Sequence, residues 1–569
     1  MNEAKLPRWD LTPIYPDVEG PEFKGDLEKI SSLSKKLSES IKTASLKELI
    51  ELINEIESLV ATTYPYASAL LSTDTANPIY ISAVGKTEKA CVEFSNVMTE
   101  FTAECAKRES EFKDPALKDY QLFLSEILES SKHMMSQKEE ALANEMLLVS
   151  AKQWSRLQEA VTSSISSGDK TLIDLRGCAS NPDRAVRKDA FERELAILKE
   201  HEVALCYALN GVKGTALILE KRRGWKDPLD RSCFTARISR KALSALITTL
   251  EKNQPLFRRY MEIKAKIMGL KKLDWYDTVA PVGSSDKKYS FEEAEDIVIK
   301  AYTKFSPEMG AFVKNAFENG WIDAEPRKGK VGGAYDTSFY KAGVSRVLCN
   351  FDYTYDSVLT LAHELGHAYH DSIMLKEAPI LGDYPMTLAE SASIFGETIV
   401  FTEVVKTLSK EEQLPVIESM LSSANQVCVD ILSRFYFEKA CFEKRKEGEL
   451  TAKDMCDMML DAEERTYGDA VAIKHPYMWA VKSHYYIEEF SFYNYPYAFG
   501  QLFALGLFKR SADDPNFAQD YKALLSRTGR MNARDVALSA GCDIESEAFW
   551  QESIDVLAHW IDVFETYVK

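Results

Sequence analysis

The residues of this chain whose types and spacing carry the most chemistry are His363-Glu364-Leu365-Gly366-His367. At about 100° per helical residue, two histidines four positions apart lie within roughly 40° of each other, so both imidazoles can grip one divalent ion at about 2.0 to 2.1 Å. Glu364 then falls beside the ion rather than on it, where its carboxylate can take a proton from a water that the metal activates. The chemistry this predicts is hydrolysis at a zinc ion, one per chain. A solvated histidine pair would need an exposed face, and the flanking Leu361, Ala362, Leu365 and Ala368 are too apolar for one. A desolvated pair without a metal would need several compensating partners.

Two imidazoles leave the coordination incomplete, and a third protein ligand is required. The chain contains no C-x-x-C pair, so the candidates are the carboxylates downstream: Asp371, Glu377, Asp383, Glu390 and Glu397. Asp371 repeats the i+4 spacing from His367 but sits on the same helix and reads equally as a last-turn surface charge. Glu377 and Asp383 fall among Pro379, Gly382 and Pro385, a loop signature. Glu390 and Glu397 are seven apart in TLAESASIFGETIV and share a helix face with Ser393 and Ile394. Glu390 is the predicted ligand. His370 shares the stripe of His363 and His367 but cannot easily reach the same ion, so it and Glu397 are expected to orient ligands through hydrogen bonds.

The elements that must position these groups are legible nearby. Thr354 can cap a helix carrying Val358, Leu359, Leu361, Ala362 and Leu365, and a second helix is predicted over 387–400. Upstream, GGAYDTSFY and GVSRVLCNF read as two short strands with a turn near Lys341 to Gly343, entered through Gly329, Gly332 and Gly333. A free strand edge beside the metal would hold an extended peptide by main-chain hydrogen bonds, with Gly332, Gly333 and Ala334 as its substrate-binding residues. GKVGG lacks the Lys-Ser/Thr ending and the strand-to-helix context of a phosphate loop.

HELGHAYH followed by GDYPMTLAESASIFGE resembles the signature of the oligoendopeptidase F group among zinc metallopeptidases of the thimet oligopeptidase and neurolysin type. WDLTPIYP, KIMGLKKLDWYDTVAPV, GKVGGAY and SHYYIEEFSFYNYPYAFGQLF resemble further segments of that group in the same order, so the similarity spans most of the chain. The resemblance implies His363, His367 and Glu390 as zinc ligands and Glu364 as general base. It also implies a mainly α, two-lobed body with a deep channel that admits short, unstructured peptides, and a small sheet beside the zinc helix.

A tetrahedral intermediate needs donors for its oxyanion, and tyrosine and histidine are dense downstream: His475, Tyr477, His484, Tyr485, Tyr486, Tyr493, Tyr495 and Tyr497. Single tyrosines in such clusters are as often core packing as chemistry. His484 and the tyrosines after it fall where the resembling family places substrate- and oxyanion-binding groups. His484, Tyr493 and Tyr497 are therefore taken as catalytic and Tyr486 as substrate-binding.

Composition agrees. With 569 residues, 45% of them hydrophobic, the chain can bury a large core. Stretches such as 23–60, 86–112 and 190–222 read as amphipathic helices, which makes the fold class mainly α. The expected division is an N-terminal helical region over 1–200 and a catalytic domain over 201–569. A net charge of -18 argues against a nucleic-acid surface. No run of 18 apolar residues suggests a membrane span, and MNEAKLPRWD lacks a signal-peptide core. Ten scattered cysteines look like reduced core residues, so the expected compartment is the cytoplasm. Oligomeric state is not written in any motif. Two other readings remain: a catalytically silent peptide-binding protein, which intact Glu364 disfavours, and a di-iron carboxylate enzyme, which would want paired Glu-x-x-His motifs from separate helices.

Overall fold

The computed structural model describes residues 5–283, 287–514 and 516–568. The chain is mainly α, as its periodicity predicts, and its contacts divide it into two compact units of three segments each. The first unit comprises Met1–Lys132, Lys287–Lys406 and Arg510–Cys542; the second comprises His133–Asp286, Thr407–Lys509 and Asp543–Lys569. This interleaved division departs from the linear one expected at residue 200. The helix Arg184–Arg222 runs through that position without a break, because its caps lie at its ends: Asp183 accepts from the Ala185 amide at the start, and Gly224, with φ +79°, follows its end.

In the first unit, α1 (Pro21–Ser40), α2 (Leu46–Thr73) and α3 (Pro78–Cys105) pack around Ile30, Leu37, Leu49, Ile53, Ile56, Phe94 and Phe101. The long periodic stretch 23–60 is thus two helices. Ser45 and Glu48 form a reciprocal capping box that starts the second one. Downstream lie α4 (Phe291–Phe305) and α5 (Pro307–Glu318), then a small sheet, then α6 (Tyr355–Met374) and α7 (Met386–Val405).

The sheet contains β1 (Ile322–Asp323), β2 (Tyr335–Phe339) and β3 (Val344–Leu348) in the order β1-β3-β2. The two anticipated strands pair antiparallel from Tyr335↔Leu348 to Phe339↔Val344. Gly343, with φ +64°, closes their turn in the left-handed conformation that glycine adopts without a Cβ penalty. The two-residue β1, parallel to β3, is too short to leave a periodic signal. β2 is an edge strand of this sheet.

α6 begins where the sequence places it, with the Thr354 hydroxyl accepting the Ser357 amide at 3.3 Å. α7 runs about one turn beyond the predicted 387–400. The two helices meet with almost no space between backbones. A Cβ added at Gly366 would stand 2.6 Å from the Ala392 carbonyl oxygen and 2.8 Å from Ser393 Cα. A Cβ added at Gly396 would stand 2.0 Å from Tyr302 Oη and 3.3 Å from the Ala362 carbonyl oxygen. Tyr302, from α4, is buried and donates to that same Ala362 carbonyl at 2.5 Å.

The second unit is built on the 39-residue helix Arg184–Arg222. It is long and apolar enough by composition to cross a membrane, yet much of its apolar window is buried inside this unit. Its buried charges are paired within the unit, Lys213 with Glu438 at 2.6 Å and Arg187 with Asp277 at 2.9 Å. That is how core helices carry ions.

Gly366→Ala and Gly396→Ala should each force α6 and α7 apart. Overpacking of this kind costs about 1–3 kcal/mol, and separated helices also hold a shared metal less well. Thermal unfolding and metal titration of the two variants test this; unaltered midpoint and affinity in both would contradict the close-packing account.

Candidate metal centre

α6 presents His363, Glu364 and His367, and α7 presents Glu390 and Glu397. His363 Nε2 lies 3.4 Å and His367 Nε2 3.6 Å from Glu390 Oε2. The three ligand atoms all fall within 4.8 Å of one another. Donors bound about 2.1 Å from one tetrahedral ion would be about 3.4 Å apart. These spacings are longer than a good N–H···O bond and match an edge of that tetrahedron. The residues therefore fit a divalent metal, and they are the three the sequence nominated.

Glu397 Oε2 lies 3.3 Å from His363 Nδ1, on the side of the ring away from Glu390. A carboxylate there fixes the tautomer that leaves Nε2 free to ligate. Ser393, read from the sequence only as a small residue on this face, donates its hydroxyl to Glu390 Oε2 at 2.9 Å. Its i+3 spacing from Glu390 was the available signal. Burial alone would lower the His363 imidazole, but hydrogen bonds to Glu390 and Glu397 outweigh it and push the ring up to about 10. Burial would likewise raise Glu390, yet the two histidines hold it well below the usual carboxylate range. Both directions reflect the close approach of acids and imidazoles, and a bound cation would displace the imidazole proton.

Glu364 is 7% exposed, and burial raises its carboxyl against the pull of His363 and His367. The nearby main-chain N–H of Asp336 on β2 favours its charged form. A pocket of about 400 Å³ is lined by Glu364 together with Gly333, Ala334, Asn350 and Thr360.

His370 is the exception within this group. It is fully buried, stacks on Tyr384 at 4.2 Å between ring centroids, and pairs through Nε2 with Thr528 Oγ1 at 2.9 Å. No hydrogen bond joins it to a metal ligand, so the orienting role expected for it falls to Glu397 and Ser393. The reason is helical phase. Three residues beyond His367 the ring has rotated into the core beneath α6. The other carboxylates weighed as ligands are engaged too: Asp371 accepts from Tyr384 Oη at 2.8 Å, and Glu377 pairs with Arg530.

The downstream aromatic cluster belongs to the second unit, where it sorts into two sets. His484 packs against Tyr493 and Tyr497 with ring centroids 5.2 and 5.9 Å away, and all three are partly exposed. His484 Nδ1 lies 3.3 Å from Asn494 Oδ1, and burial lowers the His484 pKa. Tyr486, expected to touch substrate, is 1% exposed, with its hydroxyl 3.4 Å from the Leu205 carbonyl oxygen. It is a core residue, and the substrate role is withdrawn. Tyr485, Tyr495 and His475 are equally buried, and Tyr477 donates to Glu202 at 2.7 Å. Packing claims most of the cluster, as buried tyrosines usually do.

The profile of peptidase family M3 matches residues 178–556, which include every group of this centre. The chain belongs to peptidase family M3. A second profile, oligopeptidase F, matches residues 106–166. Oligopeptidase PepF of Bacillus subtilis is 26% identical over 566 residues, covering 95% of this chain and 84% of that protein. The fold matches a Chlamydophila abortus protein described as a peptidase, with a TM-score of 0.87 at 21% identity and 98% of each chain covered. It also matches oligoendopeptidase-F from Enterococcus faecium, with a TM-score of 0.69 at 19% identity and 96% and 99% covered. Membership makes this M3 chain a metalloendopeptidase.

Two measurements follow from the neighbours of the ligands. Ser393→Ala and Glu397→Ala should retain the fold but weaken metal affinity, by about 10- to 100-fold if they behave as outer-shell partners do; competition with a chelator reads this, and wild-type affinity in both would refute the assignment. Burial, with His367 second, pushes His370 down to about 3 from an ordinary 6.5. The unfolded chain thus binds a proton that the folded one excludes. This source of stability is complete above 6.5 and is lost as pH falls toward 3. Urea unfolding between about pH 6 and about pH 4 should show a slope shallower by close to one proton in His370→Gln than in wild type; equal slopes would remove His370 from that account.

Proposed function

We propose that this M3 peptidase is a zinc-dependent endopeptidase that hydrolyses internal bonds of short, unstructured oligopeptides. The observation that carries the reading is the convergence of His363, His367 and Glu390 beside a buried Glu364. His363, His367 and Glu390 would hold the ion. When bound, zinc supplies Lewis acidity toward a water and the scissile carbonyl oxygen.

Every proton is handled by Glu364. Its carboxylate takes one from the attacking water and returns it to the leaving amine nitrogen. Burial supports this cycle, because a desolvated carboxyl binds a proton more readily than an exposed one. Glu397 and Ser393 fix the rotamers of His363 and Glu390. Beyond Asp336, the edge of β2 and the glycine-rich entry to it supply main-chain groups for an extended peptide, which gives tolerance of side-chain sequence. His484, Tyr493 and Tyr497 are assigned to the substrate and the developing oxyanion; their partial exposure and mutual packing support this.

Ten free cysteines, none in a disulfide, support a reducing compartment, and the proposed location is the cytoplasm. The acidic charge supports a substrate other than nucleic acid.

Glu364→Gln should keep one zinc per chain by elemental analysis and lose at least about 10²-fold in kcat on a quenched fluorescent peptide, the scale of a general base. Activity near wild type would refute the base assignment, and two irons in place of one zinc would refute the metal. Cleavage of folded proteins at the rate of peptides would refute the substrate class.

A further inference from the structure

The segment that leads into β2 is held in place by two side chains, Lys330 and Asn350. The Lys330 ammonium is completely buried. It donates to three main-chain carbonyls, Asp323 at 3.0 Å, Glu325 at 3.2 Å and Cys349 at 2.5 Å, and pairs with Asp323 Oδ1 at 2.8 Å. Asn350 uses the two N–H groups of its amide on the carbonyls of Val331 and Gly333, each at 3.0 Å. The Val331 amide donates to Ser72 at the end of α2 at 2.9 Å. Gly333, with φ +80°, turns the chain as other residues rarely do.

The register shows what this clamp achieves. Continuing the pairing two steps past Tyr335↔Leu348 puts Gly333 opposite Asn350, so the Asn350 side chain stands where a ladder bond would be. Odd-numbered residues here turn their main-chain groups toward β3. Even-numbered ones turn the other way, since successive residues alternate along a strand. Asp336, the residue after Tyr335 in β2, turns its main-chain groups to that second edge. Ala334 falls on it, Gly332 precedes the turn at Gly333, and no main-chain group of either has a hydrogen-bond partner among the described residues. Ala334 lines the same pocket as Glu364.

We infer that Asn350 and Lys330 are positioning residues for peptide binding: Asn350 occupies the carbonyls of Val331 and Gly333, Lys330 anchors the start of the segment to Asp323, Glu325 and Cys349, and together they hold Gly332 and Ala334 with their main-chain groups open to a substrate backbone beside the pocket that Glu364 lines. The inference rests on the endopeptidase reading. It refines the substrate-binding role first given to Gly332, Gly333 and Ala334 alike, for Gly333 spends its carbonyl on Asn350. An unclamped Gly-Gly segment would sample many conformations, and each substrate would have to order it on binding.

The test compares wild type with Asn350→Ala and Asn350→Ser, using a quenched fluorescent peptide and versions of it N-methylated at one amide at a time. In wild type, methylation at one or more positions flanking the cleaved bond should raise KM about tenfold, the loss of one main-chain hydrogen bond. Asn350→Ala should raise KM for the unmodified peptide by a similar factor, with kcat within about twofold, metal content and unfolding midpoint unchanged, and the methylation penalty largely gone. Asn350→Ser, which keeps one donor, should fall between and stands alone if the alanine variant does not fold. A full methylation penalty persisting in the variants, or a loss confined to kcat, would overturn the positioning role. Absence of cleavage by wild type would instead overturn the endopeptidase reading.

Discussion

Two helix backbones approach within the width of a glycine, and the catalytic centre depends on that approach. Gly366 and Gly396 are the points where α6 and α7 touch, and Tyr302 ties the seam from α4 through the Ala362 carbonyl. With the axes this close, a carboxylate on α7 reaches two imidazoles on α6 without either helix bending. A methyl group at the seam would lengthen both histidine–Glu390 separations together, because a packed core transmits a displacement and does not absorb it.

The electrostatics follow from the same constraint. Five ionisable groups, His363, Glu364, His367, Glu390 and Glu397, are held in a small and largely dry volume. His363 and Glu390 stabilise each other's charged forms. Glu364 is pulled the opposite way, because its burial outweighs the attraction of the two histidines. Glu364 and Glu390 are thus separated in proton affinity by their surroundings, although they share one side-chain chemistry. The sheet supplies the remaining direction. The segment before its edge strand keeps main-chain groups without partners beside the pocket that Glu364 lines.

Charges away from the centre obey a different rule. Lys213 with Glu438, Lys264 with Glu418 and Lys330 in its cage of carbonyls are buried cations, each paired with a buried carboxylate or main-chain oxygens. They pin segments distant in sequence against one another. A buried ion with every donor satisfied fixes one arrangement, since any shift strands a charge in apolar surroundings.

Much was already legible in the chain. The helical phase of His363 and His367, the capping role of Thr354, Glu390 over its rival carboxylates and the antiparallel strand pair follow from local periodicity and turn chemistry, which act over a few residues and so leave a local trace. Tertiary structure alone decided the rest. It sent His370 into the core and closed Tyr486 away from substrate, because burial depends on which neighbours cover a helix face and not on residue type. It turned Lys330 and Asn350 into a clamp, because those contacts join residues whose proximity no spacing announces. It also built two units from interleaved segments, which a single helix crossing residue 200 made invisible to a linear reading.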